Sequence, residues 1–139
     1  MDVNAHGGCY GNALQAAASK GHETIVNLLL EKGANVNTQG GRYGNALQAV
    51  AYKGHKTIVN LLLEKGANVN AQDGRYGNAL QAAAARGHKD IVKLLLEKGA
   101  HVNAQSEIDG TALQAAASGG HETIVNLLLE KGADRKSVV

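Results

Sequence analysis

Four histidines recur at one fixed interval along the chain, a pattern that raises the question of a metal site. Imidazole is a common metal ligand, but a shared ion needs ligand bonds of about 2 Å. Equivalent residues on neighbouring packed helices lie roughly 8–10 Å apart. The spacing therefore argues against joint metal binding, and no metal is expected at His22, His55, His88 and His121.

A nucleophile is the second kind of chemistry to consider. Cys9 is the single cysteine, and His6 lies three residues before it in a glycine-rich segment without evident oxyanion donors. We expect an exposed free thiol, a monomer that forms Cys9-linked dimers on oxidation, and a reducing, cytoplasmic compartment. No catalytic residue and no cofactor is predicted, so the chain is not expected to be an enzyme.

Charge and hydropathy exclude two further classes of partner. The net charge is +2, from 14 basic and 12 acidic residues spread along the chain. Nucleic acid and anionic membranes call for a clustered basic field, and neither is predicted as a partner. No apolar run approaches the length of a membrane-spanning helix, which is about 20 residues.

The elements that position these residues come from an internal repeat. The block GNALQAAASKGHETIVNLLLEKGANVN begins at Gly11 and returns at Gly44, Gly77 and, shortened, at Gly110. A fixed period of this length indicates stacked copies of one unit that cannot bury its apolar face alone. We predict a single domain, 1–139, with repeats at 11–43, 44–76, 77–109 and 110–139.

Each unit is predicted to hold two helices and a loop. Asn12 is a suitable N-cap for a helix over Ala13 to Ser19, and Gln15 could complete a capping box. A second helix is expected from Glu23 to about Lys32, followed by a hairpin-like loop over residues 34–43. The exposed Glu-Lys pairs at the ends of the second helices are interpreted as a solvated face.

The two ends of the chain depart from the repeat. Residues 1–10 match the loop of a preceding unit, which predicts a start inside a longer array. Arg135 stands where the other units have valine, and a polar last unit is typical of the end of an open stack.

Taken together, these features resemble the ankyrin repeat. The period, the Gly-His turn, the Ile-Val-x-Leu-Leu-Leu helix and the Gly-Ala-Asn-Val-Asn exit all agree with it. The Tyr-Gly-Asn-Ala-Leu-Gln-Ala form is similar to arrays of filamentous fungi. The resemblance implies an all-α solenoid of helix-turn-helix units with projecting hairpin loops. It also implies that the histidines tie each unit to its neighbour.

The resemblance further implies a recognition surface on the concave side, made by the loop tips and the ends of the first helices. Tyrosine and arginine are enriched in binding hot spots, although the regular recurrence of the loop tyrosines also suits stacking of loop on loop. The partner-binding residues predicted on this surface are Arg42, Tyr43, Tyr52, Lys53, Arg75, Tyr76 and Arg86.

The predicted function is therefore non-catalytic binding of a partner protein. Two alternatives stay open: the sensing array of a larger fungal immune-type receptor, and an engineered, consensus-like binding scaffold. A nucleotide-binding module of such a receptor is absent from this sequence, since no G-x-x-x-x-G-K-[ST] motif occurs.

Overall fold

The computed structural model describes residues 2–74, 77–106 and 110–132, and within them the chain forms four successive helix pairs. The pairs are α1 (Ala13–Ser19) with α2 (Glu23–Glu31), α3 (Ala46–Lys53) with α4 (Lys56–Glu64), α5 (Ala79–Arg86) with α6 (Lys89–Glu97), and α7 (Ala112–Ser118) with α8 (Glu122–Glu130). The expected all-α repeat solenoid is confirmed. Residues 75–76 and 107–109, which include Arg75 and Tyr76, lie outside the described residues.

The loops carry little sheet. A two-residue antiparallel pair joins β1 (Gln105–Ser106) to β2 (Gly110–Thr111). An isolated bridge between Gly40 and Gly44 closes the corresponding turn after the first unit. The hairpin-like loops are thus held by very few bonds of their own.

The first helices form because alanine-rich segments follow an asparagine or threonine N-cap. The Asn12 side chain accepts a bond from the Gln15 amide at 2.9 Å, and the equivalent residues of the other units make the same bond. Their small side chains let α1, α3, α5 and α7 pack closely in a row. The second helices are in looser contact with one another.

Each second helix begins one residue after a histidine, and α2, α4 and α6 end in a Schellman motif. In the first unit Gly33 has a φ of 93°, and the Ala34 amide donates to the Leu29 carbonyl at 2.9 Å. The helix ends at Glu31, one residue before the predicted Lys32, because Lys32 has already left helical geometry and serves as the C-cap.

The apolar core runs along the stack between the two rows of helices. Ile58, Ile91 and Ile124 are each only 2% exposed, whereas the equivalent Ile25 of the first unit is 47% exposed. Leu28 on the same helix is 50% exposed. The uncovered face of α2 shows how much apolar surface each unit normally buries against its neighbour.

A second set of contacts between units uses asparagine side chains. Each side chain donates to the carbonyl of a glycine 29 residues later and accepts from a backbone amide 31 residues later. The donated bonds measure 3.0 to 3.2 Å and the accepted bonds 2.8 Å. These asparagine clamps are made by Asn4, Asn37 and Asn70.

The predicted capping box is correct for two units and wrong for the other two. At Asn78 and Thr111 the glutamine three residues later accepts from the backbone amide of the cap. Gln48 instead accepts from the Asn45 side chain at 2.8 Å, and the side-chain oxygen of Gln15 has no partner. Whether or not the box forms, the amide of Gln15, Gln48 and Gln81 makes a further contact outside its own helix.

That contact is a bond from the glutamine Nε2 to the loop that follows the second helix of the same unit. Gln15 donates to the Gly40 carbonyl and Gln48 to the Asp73 carbonyl, both at 2.7 Å. Gln81 donates to the Ala104 carbonyl at 3.0 Å. These buried glutamines therefore hold the loop of their unit as well as cap helices.

Removal of the last unit should destabilise the remaining stack. Deletion of residues 110–139 would expose Leu80, Ala84 and Val92, which are buried in the full chain, because the equivalent Leu113, Ala117 and Val125 of the last unit are not buried. At about 25 cal/mol per Å² of apolar surface, the free energy of unfolding should fall by several kcal/mol. Chemical denaturation of both chains measures this loss, and equal stabilities would contradict a stack of interdependent units.

Replacement of Gln48 by alanine should separate the two roles of the glutamines. Gln48→Ala removes a buried amide that bonds both Asn45 and the next loop, which should cost about 1–3 kcal/mol of unfolding free energy. The control is Gln114→Ala, because Gln114 is exposed and makes only the capping contacts among the described residues. Equal losses in a denaturation experiment would show that the bond to the next loop contributes nothing.

Candidate partner-binding surface

The ends of the first helices and the adjacent loops bring several predicted residues together. Tyr52 and Lys53 lie in the last turn of α3, and Arg86 is the last residue of α5. Tyr43 precedes α3 in the loop that the Gly40–Gly44 bridge closes. This bridge returns the loop towards the helix, so that side chains from both elements meet.

Two tyrosine rings form the centre of this surface. The ring centroids of Tyr43 and Tyr52 are 5.2 Å apart, and the ring planes are inclined by 42°. Tyr43 is only 8% exposed, whereas Tyr52 is half-buried. The Tyr43 ring therefore packs on α3, the first helix of the next unit, an arrangement that the loop-on-loop interpretation did not include.

Cationic side chains lie over the rings. The Arg86 guanidinium carbon is 5.0 Å from the Tyr52 centroid, and the Lys53 Nζ is 5.8 Å from the Tyr43 centroid. In the first unit the Lys20 Nζ lies 5.6 Å from the Tyr10 centroid. All three distances fall within the range of cation–π attraction. We call this set the aromatic–cationic strip: Tyr10, Lys20, Tyr43, Tyr52, Lys53 and Arg86.

The structure thus brings together four of the seven predicted residues, namely Tyr43, Tyr52, Lys53 and Arg86. Arg42 is exposed in the adjoining loop, where its backbone amide donates to the Cys9 carbonyl at 2.7 Å. Tyr10 and Lys20 belong to the strip but were not predicted. Their register in the repeat could have revealed them, because they are the first-unit equivalents of Tyr43 and Lys53.

The histidines hold the backbone beneath this strip. His88 Nε2 donates to the Tyr52 carbonyl at 2.8 Å, and His55 and His121 make the equivalent bonds to Ser19 at 3.2 Å and Ala85 at 3.1 Å. The prediction that the histidines tie adjacent units together is confirmed for these three. The imidazole therefore serves the neighbouring unit and makes no capping bond to its own helix.

A glycine makes room for each imidazole. Gly54 has a φ of 88°, and a Cβ built there would lie 2.7 Å from Cε1 of His88. Any side chain at this position would meet both a left-handed backbone and a steric clash. The glycine that ends the first helix is thus required by the histidine of the following unit.

The other candidates for chemistry lie apart from one another. Within residues 2–74, 77–106 and 110–132, no cluster of three or more His, Cys, Asp or Glu side chains could hold a metal ion. Cys9 is an exposed free thiol. A groove of about 380 Å³ lies between α6 and α8, but Lys93, Glu97 and Glu130 line it with both signs of charge.

The comparison with family models covers almost the whole chain. A model described as ankyrin repeats, in three copies, matches residues 1–73 and again residues 47–138. The chain belongs to the ankyrin repeat family. Ankyrin repeats generally mediate protein–protein interaction and are generally non-catalytic.

A fungal protein shares part of this ankyrin array. The azaphilone pigments biosynthesis cluster protein L of Monascus ruber is 62% identical over 34 residues, which make up 24% of this chain. The matched segment spans only 7% of that protein's length. Among the described residues of the ankyrin array, no helix combines the length and apolarity needed to cross a bilayer.

The contact between Arg86 and Tyr52 should be measurable as a coupling energy. A double-mutant cycle with Arg86→Ala and Tyr52→Ala should give about 0.5–1 kcal/mol, because a cation over an aromatic face is attracted to it even at an exposed site. Urea denaturation of the four proteins provides the values.

The control cycle combines Arg86→Ala with Tyr10→Ala, whose ring lies beside Lys20. Residues that share no contact should give additive effects. If the effects of Arg86→Ala and Tyr52→Ala were also additive, the cation–π contact between these side chains would contribute no free energy.

Proposed function

We propose that the array binds a partner protein through the concave surface formed by the loop tips and the ends of the first helices. The surface includes the aromatic–cationic strip and Arg42, together with Arg75 and Tyr76 by their position in the repeat. The observation that carries this proposal is the convergence of Tyr43, Tyr52, Lys53 and Arg86 in one cluster.

The physical support is preorganisation. Long side chains lose conformational entropy when a partner immobilises them, and this loss weakens binding. Lys53 and Arg86 already lie over aromatic rings, and the backbone at Tyr52 is held by His88. A partner would therefore meet side chains that are largely oriented before contact.

The composition of the strip also supports binding. Tyrosine and arginine supply large contact areas and are frequent in hot spots of protein interfaces. A reducing compartment inside the cell suits this role, because Cys9 is an exposed thiol.

A second candidate is the sensing array of a larger fungal immune-type receptor. It is favoured by the segment shared with the fungal protein, of which this chain spans a small part. Sequencing of the full-length gene distinguishes the two proposals, because the receptor requires a nucleotide-binding module upstream of the array.

Charge reversal on the proposed surface should abolish binding without unfolding the array. In the triple variant Arg42→Glu, Arg75→Glu and Arg86→Glu, the circular dichroism spectrum should be unchanged, because exposed charges contribute little to stability. A photo-crosslinker at position 53 should capture a protein from source-cell extract with the parent array and lose it with the variant.

The matched control changes three polar residues of the second helices, Glu23, Asn27 and Asn60, to alanine. This variant should retain the crosslinked partner. If the control variant lost the crosslinked partner and the charge-reversed variant kept it, the binding surface would lie on the second helices.

A further inference from the structure

The charges of the strip indicate what kind of partner it fits. Resting on the function proposed above, we propose that the strip binds an acidic segment in an extended, polyproline II-type conformation, with carboxylates on every third residue. The argument has three steps, which concern the sign of the charges, their spacing and the shape of the surface.

Negative charge is absent from one of the two rows of helices. The first helices α1, α3, α5 and α7 contain no acidic residue. The described carboxylates lie almost entirely in the second helices, at Glu23, Glu31, Glu64, Asp90, Glu97, Glu122 and Glu130.

The described part of the chain does not neutralise the cations of the strip. Lys20, Lys53 and Arg86 are exposed, and none of them forms an ion pair with another described residue. Asp73, the carboxylate of a nearby loop, is half-buried and accepts a bond of 2.6 Å from Asn45. The three cations are therefore available to an acidic ligand.

The three cations share one register of the repeat. Lys20, Lys53 and Arg86 follow one another at intervals of one full repeat, and the fourth unit has Gly119 at this position. Adjacent helices pack with axes about 8–10 Å apart, so the backbone positions that carry the three cations are expected to form a row with steps of about that size. The row ends at Arg86, which limits the ligand to three carboxylates in register.

A polyproline II segment matches this row of cations. It rises about 3.1 Å per residue with three residues per turn, so every third residue returns to the same side after about 9 Å. In a β-strand, by contrast, residues three apart point to opposite faces. Seven residues with carboxylates at the first, fourth and seventh positions would span the row.

The shape of the surface favours an extended ligand over a helix. A helical ligand with carboxylates seven residues apart would also step by about 10.5 Å, but helices dock into apolar grooves. Among the described residues the large exposed apolar side chains are Ile25 and Leu28 of α2, and neither belongs to the strip. The strip instead offers the half-buried rings of Tyr10 and Tyr52, and aromatic rings are the surface that polyproline II segments contact.

The orientation of Arg86 suits a carboxylate as well. A guanidinium that lies over a ring uses its face for that contact and keeps the donors along its edge. These donors can bind a carboxylate in a bidentate manner. Arg86 can therefore contact the Tyr52 ring and a ligand carboxylate at the same time.

The test uses fluorescein-labelled peptides and the full chain. One peptide carries Glu-Pro-Ala repeated so that glutamates fall on every third residue, and a second has the same composition with its glutamates clustered. A third is a helix-forming peptide with glutamates seven residues apart. Fluorescence anisotropy should show the first peptide binding about tenfold more tightly than the other two, with the affinity falling as salt is raised.

Two variants of the chain locate the site. The first is the triple variant Lys20→Glu, Lys53→Glu and Arg86→Glu. Its affinity for the first peptide should be at least about tenfold lower. The matched control reverses Lys32, Lys65 and Lys98, which are also exposed and one repeat apart but follow the second helices. Since it has the same spacing and charge, it should change the affinity by less than about twofold. Circular dichroism checks the fold of both variants.

Several outcomes would overturn the proposal. Equal binding of the clustered peptide, tighter binding of the helical peptide or equal sensitivity to both variants would each exclude a matched row of carboxylates. If a single-stranded oligonucleotide bound more tightly than the first peptide, the ligand of the strip would be a phosphate backbone and not an acidic segment. If no acidic peptide binds while charge reversal still removes the crosslinked protein, the ligand chemistry is wrong and the proposed function stands.

Discussion

The stack depends on side-chain amides that bond to the backbone of the next unit. Its loops have almost no sheet of their own, so polar backbone groups at the unit boundaries need partners from elsewhere. Asn37 supplies both an acceptor and a donor to residues of the following unit, and Gln48 supplies a donor to the loop of its own unit. The position of the loop that carries Tyr43 follows from such bonds, since Gln15 donates to the Gly40 carbonyl and Asn4 accepts from the Asn35 amide.

Local reasoning predicted most of the helical structure from the sequence. The bounds of α1 and its asparagine N-cap follow from alanine content and capping preference, which depend on neighbouring residues alone. The dual role of Gln48 could not be predicted in this way. Its second bond is to a carbonyl 25 residues later, which the spacing of residues within one helix does not reveal.

The candidate surface was predicted in outline because packing does not constrain its residues, so they differ between units. That criterion selects Tyr52 and Arg86. It does not reveal that the Lys20 amine lies over the Tyr10 ring, which is what makes these two residues relevant. The degree of burial of Tyr43 also depends on three-dimensional contacts. The sequence therefore indicated where side chains could vary, and the fold decided which of them meet.

The histidine clamps have a consequence for how such arrays diversify. His88 donates a hydrogen bond to the main-chain oxygen of Tyr52, and the equivalent histidines donate to the main-chain oxygens of a serine and an alanine in other units. The bond to the main chain therefore does not depend on which side chain stands at that position. Mutation can thus exchange the side chain at this position one unit at a time while the bond between the units is kept.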